Sequence, residues 1–151
     1  TPDVIDPAPT TEEAISEPSE YEVLRTNPIA KKNRAIQTKL EKVISYTKQT
    51  MVAYMNEEDL NRLCAYIVEY SSGDTLQKIS PVKVDSQLKS IDIMHFGWNI
   101  GKAFSKKRIH TATFIKNVFA HALRDIEIST IERKMSHAES KCEINLDSKI
   151  A

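Results

Sequence analysis

Four histidines, two cysteines and a set of scattered cations are the residues of this chain whose types could carry chemistry. His95, His110, His121 and His137 include no His-x-x-x-His pair, the spacing that puts two imidazoles on one helical face for zinc. Cys64 and Cys142 stand alone rather than as Cys-x-x-Cys, so neither a metal knuckle nor a redox pair is expected. No Gly-x-Ser-x-Gly elbow is present, and three glycines are too few for a phosphate-cradling loop. No two carboxylates sit in apolar surroundings that would split their pKa values for acid–base work. The expectation is therefore a protein that is not an enzyme and needs no cofactor or metal. The cations remain. Lys102, Lys106, Lys107 and Arg108 precede residue 114, and Lys116, Arg124, Arg133 and Lys134 follow it. If they share a face they attract phosphates by releasing counterions. The other reading is a set of separately solvated faces.

The elements that must position these cations begin with residues 114–135. They read as a helix, a link and a second helix opening Ser129-Thr130-Ile131-Glu132-Arg133-Lys134-Met135. This stretch resembles a helix-turn-helix, in which the early polar residues of the second helix meet bases in the major groove. The resemblance implies duplex DNA as partner. Ser129, Thr130, Arg133 and Lys134 would be contacts on the reading helix, with Lys106, Lys107, Arg108 and Lys116 on the phosphates. It also implies a two-fold dimer, because such readers engage paired half-sites. The usual turn glycine is missing, and Arg124–Ile128 is a longer link than the tight turn has. The plainer reading is a pair of antiparallel core helices.

Composition places limits on the rest. The chain has 151 residues with 21 Lys+Arg and 21 Asp+Glu, a formal net charge of zero. That zero hides an asymmetry. Asp3, Asp6, Glu12, Glu13, Glu17, Glu20 and Glu22 all lie in residues 1–24, which hold no base, leaving 21 bases against 14 acids in residues 25–151. The acidic stretch also contains Pro2, Pro7, Pro9 and Pro18 and little apolar matter, so residues 1–28 are expected to be a disordered acidic leader. It would act either as a solvating tail or as a polyanion mimic that folds back on the basic body. No apolar run approaches the ~20 residues of a membrane span. Two cysteines make no disulfide framework, and a cytoplasmic setting is expected.

The body, residues 29–151, is expected to form a single helical domain. Ile36, Leu40, Val43, Ile44, Met51, Tyr54 and Met55 make one stripe on a long helix over 30–55. Asn56 with Glu57, Glu58 and Asp59 reads as the cap and first turn of the next helix. Pro81 interrupts helical pattern around residues 75–85. Residues 86–104 are apolar around most of their circumference, as a central buried helix requires, and Gly97 and Gly101 on one face suit a close helix neighbour. Ser105–His110 is a basic loop. A helix over 111–123 follows, and a capping box at Ser129 and Glu132 starts a helix over 129–141 with Ile131, Met135 and Ala138 inward. Ile126–Ile128 and Glu143–Leu146 alternate and are expected to pair as a short C-terminal β unit. The fold class is mainly α, a compact bundle of about five helices.

Asp92-Ile93-Met94-His95-Phe96-Gly97-Trp98-Asn99-Ile100, with Phe114, Phe119 and Ser129-Thr130-Ile131 downstream, resembles a pattern in small uncharacterised accessory proteins of bacterial mobile genetic elements, over residues 60–146. That likeness implies an accessory or regulatory setting and no activity. Two functions of different class follow. One is a nucleic-acid-binding accessory protein, which needs residues 102–108 and 129–141 to merge into one cationic surface. The other is a protein-interaction or assembly module, which needs the stripe along Ile36–Met55 exposed for a partner protein or a second copy.

Overall fold

The computed structural model describes residues 19–73, 76 and 78–151. Most of the expected acidic leader, residues 1–18, lies outside them. The described residues form five helices: α1 (Glu20–Met51), α2 (Glu57–Ser72), α3 (Ser90–Ala103), α4 (Arg108–Val118) and α5 (Ile128–Lys134). Contacts divide the chain into residues 1–36 and residues 37–151.

Helix α1 begins at Glu20, not Ala30, so residues 20–28 are helical rather than leader. Ser19 explains the start. Its hydroxyl accepts from the Glu22 N–H at 3.2 Å, and Glu20 and Glu22 stand at the positive end of the helix dipole. Pro28 lies inside the helix and removes one backbone bond from it. The helix stops at Met51 rather than Met55, where the Tyr54 N–H turns back to the Met51 carbonyl at 2.9 Å.

The unit of residues 37–151 holds the core. Val43, Thr47 and Met51, four residues apart, are the buried positions of α1. The Asn56 side chain caps α2 by accepting from the Asp59 N–H at 2.7 Å, and Leu60, Leu63, Ile67 and Tyr70 bury one face. Each such side chain contributes about 1.5–3 kcal/mol on burial. Arg62 and Tyr66 hold the extended segment around Pro81 to α2. Arg62 donates to the Ser80 and Pro81 carbonyls at 3.2 and 2.9 Å, and the Tyr66 hydroxyl bonds both the N–H and the carbonyl of Ser80.

Helix α3 is the centre. Phe96 stacks on Tyr46 with ring centroids 5.8 Å apart and meets Phe119 edge-on at 6.2 Å. A Cβ on Gly97 would stand 2.6 Å from Ile115 Cγ2, and one on Gly101 would meet the Thr111 hydroxyl, so α4 packs directly on a bare stretch of α3 backbone.

One face of α3 is polar and buried. Asp92, His95 and Asn99, at positions i, i+3 and i+7, share it. Buried polar groups need partners, and these take them from the C-terminal segment. Asp92 Oδ1 accepts from the Glu143 and Ile144 N–H groups at 2.7 and 3.1 Å, while Oδ2 accepts from the Lys89 N–H at 2.9 Å. His95 Nδ1 lies 2.8 Å from the Ile144 carbonyl and Nε2 lies 2.6 Å from the His137 carbonyl. Asn99 donates to the Asn145 carbonyl and the Tyr46 hydroxyl, and accepts from the Asp147 N–H at 2.6 Å. Burial pushes the Tyr46 phenol upward from its ordinary pKa, against the hydrogen bonds from Asn99 and Thr50.

This arrangement overturns the expected β pair. No strand occurs among the described residues. Backbone groups of residues 143–147 that would have joined a ladder bond to side chains of α3 instead, and Ile128 is the first residue of α5.

Candidate functional site

Helices α4 and α5 run back along each other, and two cations on α4 fix the register. Lys116, near the end of α4, donates to the carbonyls of Leu123, Arg124 and Ile126 at 2.6, 3.3 and 2.7 Å. All three ammonium protons are thereby engaged, so Lys116 clamps the link and has no donor left for a phosphate. Arg108, at the start of α4, reaches the far end of α5. Nη1 donates to the Ser136 hydroxyl at 2.9 Å, and Nη2 donates to the carbonyls of Glu132 and Arg133. A guanidinium there satisfies carbonyls that a helix C-terminus leaves unpaired and suits its negative dipole end.

The link and second helix depart from the expected unit. Lys116 holds the Ile126 carbonyl, Glu127 becomes the N-cap and makes no side-chain cap bond, and helical backbone starts at Ile128. Ser129 therefore falls inside the first turn, and the expected capping box does not form. The helix ends at Lys134 instead of 141. Ile131 and Met135 point inward, but Ala138 is exposed, because the chain leaves helical geometry to bring the His137 carbonyl to His95.

Exposed Ser129 and half-buried Thr130 stand at the start of α5, whereas exposed Arg133 and Lys134 stand at its end with Arg108. The two groups are separated along the axis by about 6 Å, at 1.5 Å per residue. Lys106 and Lys107 join the second group. The structure thus gathers Lys106, Lys107, Arg108, Arg133 and Lys134 at one end of the helix pair and leaves Ser129, Thr130 and Lys116 at the other.

A cavity of about 230 Å³ opens at the cationic end, lined by Trp98, Gly101, Lys102, Lys106, Arg108, Thr111, Met135 and Ser136. Its cations come from three places. Lys102 is the last-turn base of α3, with its ammonium 5.6 Å from the centre of the Trp98 ring. Arg108 is held by its bonds to residues 132–136. Lys106 is placed by the turn that ends α3. The Lys106 N–H bonds to the Gly101 carbonyl at 2.8 Å and the Ser105 N–H to the Lys102 carbonyl at 3.2 Å, with Ser105 in the left-handed region at φ 56. These are the two bonds of a Schellman turn, closed here by serine in place of the usual glycine. The Lys106 ammonium then lies 5.0 Å over the Tyr70 ring and donates to the Gly73 carbonyl at 3.2 Å.

Sequence reasoning places Lys102, Lys106 and Arg108 in the cationic cluster but does not select Trp98, Thr111 or Ser136 for this site. The i, i+4 spacing of Trp98 and Lys102 is the available signal for the indole. Nothing local marks Ser136, which arrives through the reversal after α5.

The competing interaction surface is largely used up inside the fold. Val43 and Met51 are fully buried and Leu40, Ile44, Tyr54 and Met55 are partly buried, while Ile36 stays 51% exposed. Among the described residues no group of three His, Cys, Asp or Glu side chains could hold a metal ion, and no helix is long and apolar enough to cross a membrane. Comparison with family models, with curated proteins and with solved structures finds no match for this chain.

Proposed function

We infer that this protein is a non-catalytic nucleic-acid-binding accessory or regulatory protein whose affinity comes from the cationic end of the α4–α5 pair. The observation that carries the reading is the lining of the Trp98 cavity, which among the described residues includes Lys102, Lys106 and Arg108 and no carboxylate. Local electrostatics add support. The start of a helix favours acids, yet α4 opens with Lys107 and Arg108 and has no acid in its first turn. Arg108 is compensated by the carbonyls at the end of α5. A bound phosphate would compensate Lys107. Departures of this kind from local preference tend to mark functional positions.

In this reading Lys102, Lys107, Arg133 and Lys134 neutralise phosphates, Lys106, held to the Gly73 carbonyl, adds charge beside them, and Arg108 both braces α5 and adds charge. A helix-turn-helix mode, with Ser129 and Thr130 in a duplex groove and a homodimer on paired half-sites, is the variant that the α5 start would serve. An accessory role on a bacterial mobile element is the setting that the resemblance of residues 60–146 suggests. Titration of labelled single-stranded and duplex DNA with the full chain at two salt concentrations tests the reading. Binding that weakens steeply with salt supports it, and no binding at low salt removes it.

A further inference from the structure

We propose that the Trp98 cavity receives one unstacked base together with its adjoining phosphate, so that the protein prefers single-stranded nucleic acid to duplex. This rests on the nucleic-acid reading above and names its substrate class.

Trp98 is the single residue of 92–101 that is not buried. An indole is a costly group to leave half open in a helix that is otherwise core, and here its open part lines the cavity. Gly101, one turn further along, also lines the cavity, and its missing side chain lets Thr111 of α4 close that side, since a Cβ there would collide with Thr111. The wall thus combines an aromatic ring, a bare backbone stretch, Thr111 and Ser136, and cations on the rim. An aromatic platform beside a cationic track is the arrangement by which proteins take single strands.

Size and energetics decide between single strand and duplex. The cavity, about 230 Å³, is below the roughly 300–1,000 Å³ of sites for larger ligands, which suits a base and its phosphate rather than a dinucleotide cofactor. A paired base cannot reach a ring set into a cavity unless it is extruded. Extrusion from a duplex costs as much as one stacking contact returns, or more, so a single platform gives no net gain on a duplex. On a single strand the base is already free. The Lys102 ammonium over the Trp98 ring does not block the site. Lys102 is exposed, its cation–π contact is weaker than base stacking, and on displacement it is placed to meet the phosphate.

Trp98 is the only tryptophan of the chain, so its fluorescence reports on this cavity alone. The full chain is titrated with a single-stranded oligothymidine and with a mixed-sequence duplex of equal length, reading both indole emission and the anisotropy of the labelled nucleic acid. The expected result is quenching by the single strand and none by the duplex. Trp98→Ala then weakens single-strand binding about tenfold, much more than it weakens duplex binding, and is rescued in large part by Trp98→Phe. The wild-type quenching does not depend on the variants folding. Equal binding of both nucleic acids with an unchanged indole signal overturns the cavity proposal and leaves the nucleic-acid reading standing. Absence of any binding at low salt overturns both.

Discussion

Arg108 donates to the Ser136 hydroxyl at 2.9 Å across 28 positions of sequence. With the bonds to the Glu132 and Arg133 carbonyls, this hydrogen bond ties the start of α4 to the end of α5 and sets the edge of the Trp98 cavity. One side chain therefore serves both stability and charge, and the two roles separate under substitution. Arg108→Lys keeps the charge but loses the planar fork that serves several acceptors at once. It should lower unfolding free energy by about 1 kcal/mol, the scale of a lost hydrogen bond, while the salt dependence of nucleic-acid binding stays close to that of the parent. Arg108→Ala should lose both. Urea unfolding and binding at several salt concentrations check this pair.

Arg133 and Lys134 are exposed and face away from the core side marked by Ile131 and Met135. Arg133→Ala with Lys134→Ala should leave thermal unfolding nearly unchanged and weaken nucleic-acid binding. The slope of log K against log salt should become shallower by about 0.7 for each single-strand phosphate that is no longer neutralised. An unchanged slope would show that these two cations do not meet phosphate.

The C-terminal segment is held by side chains, so one substitution in α3 should release it. Asp92→Ala leaves the Lys89, Glu143 and Ile144 N–H groups without their acceptor. A loss of about 3 kcal/mol in urea unfolding is expected, since buried donors stranded by such a change cost roughly 1–3 kcal/mol. Backbone amides of residues 143–147 should exchange with solvent faster than those of α3.

Both thiols should react slowly. Burial raises the Cys64 thiol above its ordinary pKa, opposed in part by Lys48, and desolvation followed by the carboxylates of Asp92, Glu139 and Glu143 raises Cys142. The folded chain thus holds these protons more tightly than the unfolded chain. The associated stabilisation is present below the unfolded thiol pKa and is lost as pH rises through the higher folded value. Alkylation near pH 8 should be slower for the folded than for the urea-unfolded protein, with the difference narrowing as pH rises further.

What the sequence made legible was local. The Asn56 cap and its three acids mark the α2 start, and the all-round apolar run of 88–104 marks α3 as central. Gly97 and Gly101 mark the α3–α4 approach. What it hid was set by distant partners. Ser129 and Glu132 fit a capping box, but Lys116 fixes the Ile126 carbonyl and starts the helix earlier. Glu143–Leu146 alternates like a strand, but its backbone bonds go to Asp92, His95 and Asn99. That polar stripe was itself a readable sign, since three polar residues at i, i+3 and i+7 on an apolar helix must find partners somewhere. The cationic end was legible only as composition. Lys116 and Arg108 look alike in sequence to Lys107 and Lys134, and the difference between bracing carbonyls and facing solvent arises from the antiparallel return of α5.

The cations at one end of the α4–α5 pair are held to act together on a polyanion, and everything functional depends on that. Its most direct measurement is the binding of labelled oligothymidine, across a salt series, to the parent chain and to a variant carrying Lys102→Ala, Lys107→Ala, Arg133→Ala and Lys134→Ala. A linear fall of log K with log salt is predicted for the parent, and weaker binding with a clearly shallower slope for the variant. Equal affinities and equal slopes for the two proteins would contradict it.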